Sequence, residues 1–242
     1  MRALKQAIWV VILFLLIAGV ALVLLTLARS RPQDVPWTPL DLGQPIGAFT
    51  GRKLAGLGED FGQCQALLTR AGVRYDRLAP VTRQDQCGYS NGVRFMPGGA
   101  RTIGFSPALG TACPVAAGLA LWEWNIVQPE GQKHFGSRVA RIEHFGSYSC
   151  RRMYGRSSGD WSEHARANAV DIAAFVLADG RRISVLNDWE GEGEKPAFLR
   201  AVRDGACRLF ATVLSPEYNA AHRDHLHLDQ AARGEMGWRA CR

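Results

Sequence analysis

Residues Ile8 to Ala28, reading IWVVILFLLIAGVALVLLTLA, form 21 consecutive positions without a charged side chain. As a helix rising 1.5 Å per residue, such a segment crosses a hydrocarbon core of roughly 30 Å. A cleaved signal peptide is the competing reading, but its apolar region usually runs to about 7–15 residues and ends at a small-residue cleavage site. Ala28-Arg-Ser30 is a poor match for such a site. The segment reads as one uncleaved transmembrane anchor, residues 8–28, after a short cytoplasmic stretch, residues 1–7. Arg2 and Lys5 precede the span and Arg29 and Arg31 follow it, so the basic residues are balanced. The short leading segment favours an N-inside, single-pass arrangement in the cytoplasmic (inner) membrane.

The cysteines agree with an exported carboxy-terminal domain. Cys64, Cys87, Cys113, Cys150, Cys207 and Cys241 all lie beyond the span, and none forms a CxxC pair. An even, dispersed set reads as three disulfides, which persist in an oxidising compartment such as the periplasm, rather than as six buried thiols. The net charge of +7 needs partition: removing the four basic residues beside the span from the 29 in the chain leaves 25 against 22 acidic residues, or +3. That balance, with no basic stripe interleaved with aromatics, gives no sign of a nucleic-acid partner.

Residues 29–49 carry Pro32, Pro36, Pro39 and Pro45 and read as an extended, Pro-rich linker. Residues 50–242 then suit one domain. Cys64 to Ala71 before Gly72 predicts a short helix, and Val93–Met96 with Thr102–Phe105 around Pro97-Gly-Gly predicts a hairpin. Pro114 to Val127 predicts a long apolar helix, and Pro196 opens another with Phe198, Leu199, Val202, Leu209 and Phe210 on one side. Arg138–Glu143, Ala169–Ala178 and Arg182–Leu186 read as core strands, the last two joined by a two-residue Asp179-Gly180 turn. The fold class expected is α+β: a small, largely antiparallel sheet with flanking helices, preceded by one transmembrane helix.

Chemistry concentrates in two segments. His164-Ala-Arg-Ala-Asn-Ala-Val-Asp171 places a histidine and a carboxylate ahead of the apolar run Ile172–Leu177, where an unpaired charge is costly. In Asp224-His-Leu-His-Leu228, strand alternation sends His225 and His227 to one face and the two leucines to the other. Four of the six histidines lie in or beside these segments, while His134 and His144 stand apart. Together they offer three protein ligands for a catalytic zinc, one ion per chain, with one imidazole to spare.

Ser162-Glu-His164-Ala-Arg-Ala167-Asn-Ala169-Val-Asp171 resembles the SxHxxGxAxD motif of the zinc metallopeptidases that group lysostaphin-type enzymes, D-Ala-D-Ala peptidases and the hedgehog amino-terminal domain. His225-Leu-His227 is similar to the HxH of the murein endopeptidase branch. Over roughly residues 60 to 230 the chain more closely resembles the bacterial extensin-like carboxy-terminal domain family, through its cysteine-bracketed helix, Gly146-Ser-Tyr-Ser-Cys-Arg151 and Tyr218-Asn-Ala-Ala-His-Arg-Asp-His225. The resemblance implies a hedgehog/D-Ala-D-Ala peptidase-like fold, with His164, Asp171 and His227 as zinc ligands, His225 as base and Arg151 as oxyanion stabiliser. Ser162 and Asp224 would support them, Ser162 as a cap and Asp224 by orienting an imidazole. Ala167 stands where the motif has glycine, a small-for-small change unless positive φ is required. No ExxH glutamate precedes the last ligand, so the base role falls to His225. The family and sequence proximity imply the pairs Cys64–Cys87, Cys113–Cys150 and Cys207–Cys241, the second tying the long helix to the segment that delivers Arg151. The function implied is a membrane-anchored zinc DD-peptidase, endopeptidase or carboxypeptidase, acting on peptidoglycan peptides. A non-catalytic envelope-binding module with a structural zinc site is the rival reading.

Overall fold

The computed structural model describes residues 2–83, 86–98, 103–234 and 238–242. Helix α1, Arg2–Ser30, is long and apolar enough to cross a membrane, and a signal sequence would fit the same description. None of its residues is buried against the rest of the protein. The proline-rich segment that follows is packed rather than extended. Gln33, Val35, Leu40 and Leu42 are buried, the two leucines within the main core, and Lys53 Nζ donates to the Pro32 carbonyl at 2.9 Å. Apolar side chains spaced between the prolines draw the segment onto the domain.

Two helices, α2 (Thr50–Ala55) and α3 (Phe61–Arg70), come next, α3 capped by the Asp60 carboxylate, which accepts the Gln63 N–H. Strand β1 (Tyr75–Arg77) leads to the small β2–β3 hairpin (Val81–Thr82, Gly88–Tyr89) and then to β4 (Gly92–Phe95), β5 (Gly104–Ser106) and β6 (Gly110–Ala112). The hairpin expected between Val93–Met96 and Thr102–Phe105 does not form. Strand β4 pairs with β1 and β6, whereas β5 runs parallel to a later strand; Gly99 and Thr102 lie outside the described residues. The long apolar helix is present and extends further than expected. Helix α4 (Cys113–Trp122) passes through a π-turn at Glu123–Val127 into α5 (Gln128–Phe135), because Pro129 has no N–H to continue a regular ladder.

The main sheet is built around a hairpin of β7 (Val139–Gly146) and β8 (Ala169–Leu177). Strand β9 (Arg182–Ser184) follows β8 through four residues, Ala178-Asp179-Gly180-Arg181, in which Gly180 alone has positive φ. The two-residue turn expected there is replaced because Leu177 and Arg181 close the ladder, the Leu177 N–H donating to the Arg181 carbonyl at 2.8 Å. Strand β9 also stops at Ser184 and turns into helix α6 (Val185–Asp188), so Val185 and Leu186 are helical. Helix α7 (Glu194–Ala206) ends before Leu209 and Phe210, which are buried beyond its C-terminus. Strands β10 (Thr212–Leu214), β11 (Leu226–Asp229) and β12 (Ala240–Cys241) complete the order β12-β10-β11-β8-β7-β5. Both end pairs, β12 with β10 and β5 with β7, are parallel, so this sheet is mixed.

One irregularity in β8 decides where the site lies. Pairing steps from Glu143 opposite Ala174 to His144 opposite Ile172, leaving Ala173 as an extra residue. Such a bulge shifts the in–out alternation by one. Ile172 and Phe175, three apart, are therefore both in the core, where Phe175 meets Trp122 and Phe198 with ring centres 5.7 and 5.1 Å away. Asp171, before the bulge, lines a cleft on the other side.

The disulfides are Cys64–Cys113, Cys87–Cys150 and Cys207–Cys241. The expected pairs Cys64–Cys87 and Cys113–Cys150 are thus exchanged. Cys64 in α3 and Cys113 at the start of α4 are fully buried where those helices pack, and β1 carries the chain away before Cys87. Cys150, and with it Arg151, is anchored to Cys87, just before β3, rather than to the long helix.

Candidate metal centre

The centre is made by two facing strands and one turn. Antiparallel pairing of β11 with β8 sets His227 opposite Asp171. His164 comes from a 3-10 turn, Glu163–Arg166, whose N-cap is Ser162; the hydroxyl accepts the His164 N–H at 3.3 Å. The chain leaves this turn through Ala167 at φ 54°, ψ 20°, in the left-handed region. Its carbonyl accepts from Ala112 N–H, Thr111 Oγ1 and Ser147 Oγ, at 2.8, 2.9 and 3.0 Å. The position where the resembling motif has glycine does require positive φ, and the alanine carries that strain.

Three atoms converge: His164 Nε2 lies 3.1 Å from Asp171 Oδ1 and 3.2 Å from His227 Nδ1, and His227 Nδ1 lies 2.9 Å from Asp171 Oδ1. All three residues are buried, Asp171 and His227 at 9% exposure. The far nitrogen of each imidazole is already committed. His164 Nδ1 donates to the Ser147 carbonyl at 2.7 Å, and His227 Nε2 donates to Asp229 Oδ2 at 3.1 Å. In the neutral tautomers this fixes, the three inward atoms are all lone-pair acceptors, which cannot satisfy one another and call for a cation. The edges are close to the roughly 3.3 Å expected for ligands held about 2.0–2.1 Å from a tetrahedral zinc. These three residues could hold a metal ion.

Protons compete for the same place. Burial alone would push the His227 imidazole down, but its hydrogen bonds to Asp171 and Asp229 prevail and raise it to about 9. Burial would likewise raise the Asp171 carboxyl, yet the His164 and His227 imidazoles hold it well below the ordinary carboxylate range.

His225 stands beside the centre, ahead of β11. Its Nδ1 is tied to Asp224 Oδ1 at 2.8 Å and its Nε2 lies 3.5 Å from Asp171 Oδ1. The exposed Phe145 packs edge-on against it, with ring centres 5.9 Å apart. Arg151 lines the same cleft, whereas its neighbour Arg152 turns away, its guanidinium 4.4 Å over the Trp161 ring and bonded to the Gly159 carbonyl. His134 and His144 are elsewhere: His134 is bonded to Glu194, and His144 Nε2 to the Pro107 carbonyl at 2.7 Å. The cleft, of about 1000 Å³, is also lined by Asp160, Tyr154, Tyr218 and Arg242.

Two residues at this centre have no role in the sequence reading, Asp229 and His222, although His222 counts among the clustered histidines. Asp229 holds His227 from behind, and strand alternation through 225, 227 and 229 was the signal that could have found it. His222 lines the cleft with its ring 5.2 Å from that of His225. Burial first, then the neighbouring His225 and His227 charges, push its imidazole down to about 4, so it is neutral.

No curated protein and no solved structure is similar enough to this chain to be matched. Residues 62–242 match the family model described as extensin-like protein C-terminus, and the chain belongs to that family.

Proposed function

We propose that this protein is a zinc-dependent DD-peptidase that hydrolyses peptide amides of peptidoglycan, as an endopeptidase or a carboxypeptidase. The observation that carries the reading is the triangle of lone pairs from His164, Asp171 and His227, with both imidazole tautomers fixed from behind. Zinc bound by these residues would supply an activated water and polarise the scissile carbonyl. His225 is the base: Asp224 holds its Nδ1, leaving Nε2 to accept the proton of the nucleophile and return it to the leaving amine. Arg151 donates to the oxyanion as charge develops on the carbonyl oxygen. A cleft of about 1000 Å³ has room for a peptide on both sides of the centre.

Three disulfides and the apolar helix support an extracytoplasmic setting. In this reading α1 is a single-pass anchor in the cytoplasmic membrane, the catalytic domain faces the periplasm, and the partners are wall peptides, with no nucleic acid.

The test is to produce residues 31–242 under oxidising conditions, measure bound zinc, and follow muropeptide digestion by mass spectrometry with and without chelator. One zinc per chain and chelator-sensitive cleavage are expected. Stoichiometric zinc without cleavage of any muropeptide, beside an active control endopeptidase, would leave a binding module with a structural zinc. Full zinc content and activity in His227→Ala would overturn the ligand set.

A further inference from the structure

Tyr154, which lines the cleft, makes a contact that neither the metal centre nor the proposed base uses. Residues 150–162 form a flap, closed by the Arg152–Trp161 bridge and anchored at its base by Cys87–Cys150. At its tip Tyr154 adopts φ 58°, ψ 20°, followed by Gly155 at φ 68°. A bulky residue in the left-handed region is strained and persists when its surroundings hold it there. Here the phenol is held: Tyr154 Oη accepts from Asn219 Nδ2 at 3.3 Å.

The other edge of Asn219 is committed too. Its Oδ1 accepts the Ala221 N–H at 3.0 Å and faces His222 Nδ1 at 2.7 Å. A backbone N–H can only donate, so the amide oxygen, not the NH2, must lie on this edge. His222 therefore carries a proton on Nδ1, directed at the Asn219 oxygen. The Tyr218 ring packs 5.5 Å from that imidazole, and the His227 ring lies 5.9 Å away on the cleft side.

We infer that Asn219 is a positioning residue, whose one amide sets the His222 tautomer and ties down the flap through Tyr154. The orientation of the His222 ring at the cleft and the docked flap then depend on the same side chain. The kinetic consequence rests on the peptidase reading; the tautomer does not.

The zinc-loaded full chain, in detergent, is compared with Asn219→Ala, Asn219→Asp and Tyr154→Phe. The 15N ring signals of His222 report the tautomer, and muropeptide cleavage reports kcat and KM. Asn219→Ala should lose the Nδ1–H signature and lower kcat roughly 10- to 100-fold, with KM within about threefold and zinc content unchanged. Asn219→Asp keeps both acceptor sites and can take the Tyr154 hydroxyl as donor, so it should restore the signature and most of kcat. Tyr154→Phe should retain the Nδ1–H signature and raise KM. An unchanged His222 signature in Asn219→Ala, or an aspartate variant no better than alanine in both readouts, overturns the assignment. If the wild-type chain cleaves nothing, the peptidase reading fails, while the ring signals still decide the role of Asn219.

Discussion

Asp229→Asn isolates the support behind the metal centre without touching a ligand. The carboxylate is buried at 4% exposure and makes two contacts, accepting from His227 Nε2 at 3.1 Å and from the Ala231 N–H at 3.0 Å. Asparagine has one oxygen for these two donors. If the oxygen stays with Ala231, the amide NH2 faces His227 Nε2, which must then accept, and the ring proton moves to Nδ1, where the ligand lone pair was. If the amide turns over, Ala231 N–H faces an NH2 inside the protein. Supporting groups of this kind are worth about 10- to 100-fold in metal affinity, or roughly 1.4–2.7 kcal/mol. Competition against a chromophoric chelator near neutral pH measures the loss, and thermal unfolding of the metal-free forms checks that the variant folds. Asp224→Asn serves as the contrast. Its side chain is 39% exposed and orients His225, which is not a ligand, so zinc affinity should change less than about threefold. Asp229→Asn binding zinc as tightly as wild type, while His227→Ala does not, would refute the account of how His227 is held in its ligating tautomer.

Two further predictions concern stability. Ala167→Gly should change the unfolding free energy by less than about 1 kcal/mol in urea melts, because relief of roughly 1–2 kcal/mol of left-handed strain offsets the buried methyl and the freer unfolded chain; a loss of about 1.5 kcal/mol or more would show that Ala167 is not strained. Glu123, buried in the π-turn, is raised from 4.5 to about 7, first by burial, against opposing hydrogen bonds from the Ile103 backbone and Gln128 and the charge of Arg138. A folded-state value above the unfolded one means its contribution is fully present below pH 4.5 and is lost as pH rises through 7. The amount is roughly 3 kcal/mol, and Glu123→Gln should remove that slope between about pH 5 and 7, as read from urea melts at several pH values.

The parts of the centre visible in the sequence are those set by local periodicity. His227 faces the cleft because Leu226 and Leu228 must face the core, and that alternation is legible in five residues. Asp171 was legible as a carboxylate out of place in an apolar run. What the residues around it do not reveal is the bulge at Ala173, since Ile172-Ala-Ala-Phe reads equally well with either alanine unpaired. The cysteine pairing failed for a related reason: a link between residues 49 apart depends on how α3 packs on α4, and proximity along the chain carries no information about that. Ala167 shows the limit from the other side. The motif glycine signals a backbone conformation, but an alanine in its place erases the signal while the carbonyl contacts from Thr111, Ala112 and Ser147 still enforce the conformation. That enforcement orders the site. The turn carrying His164 can meet a strand pair carrying Asp171 and His227 only if the chain reverses sharply in the two residues between Arg166 and Ala169, the start of β8. The left-handed residue makes that reversal, so strain at Ala167 and convergence of the three ligands are one structural requirement.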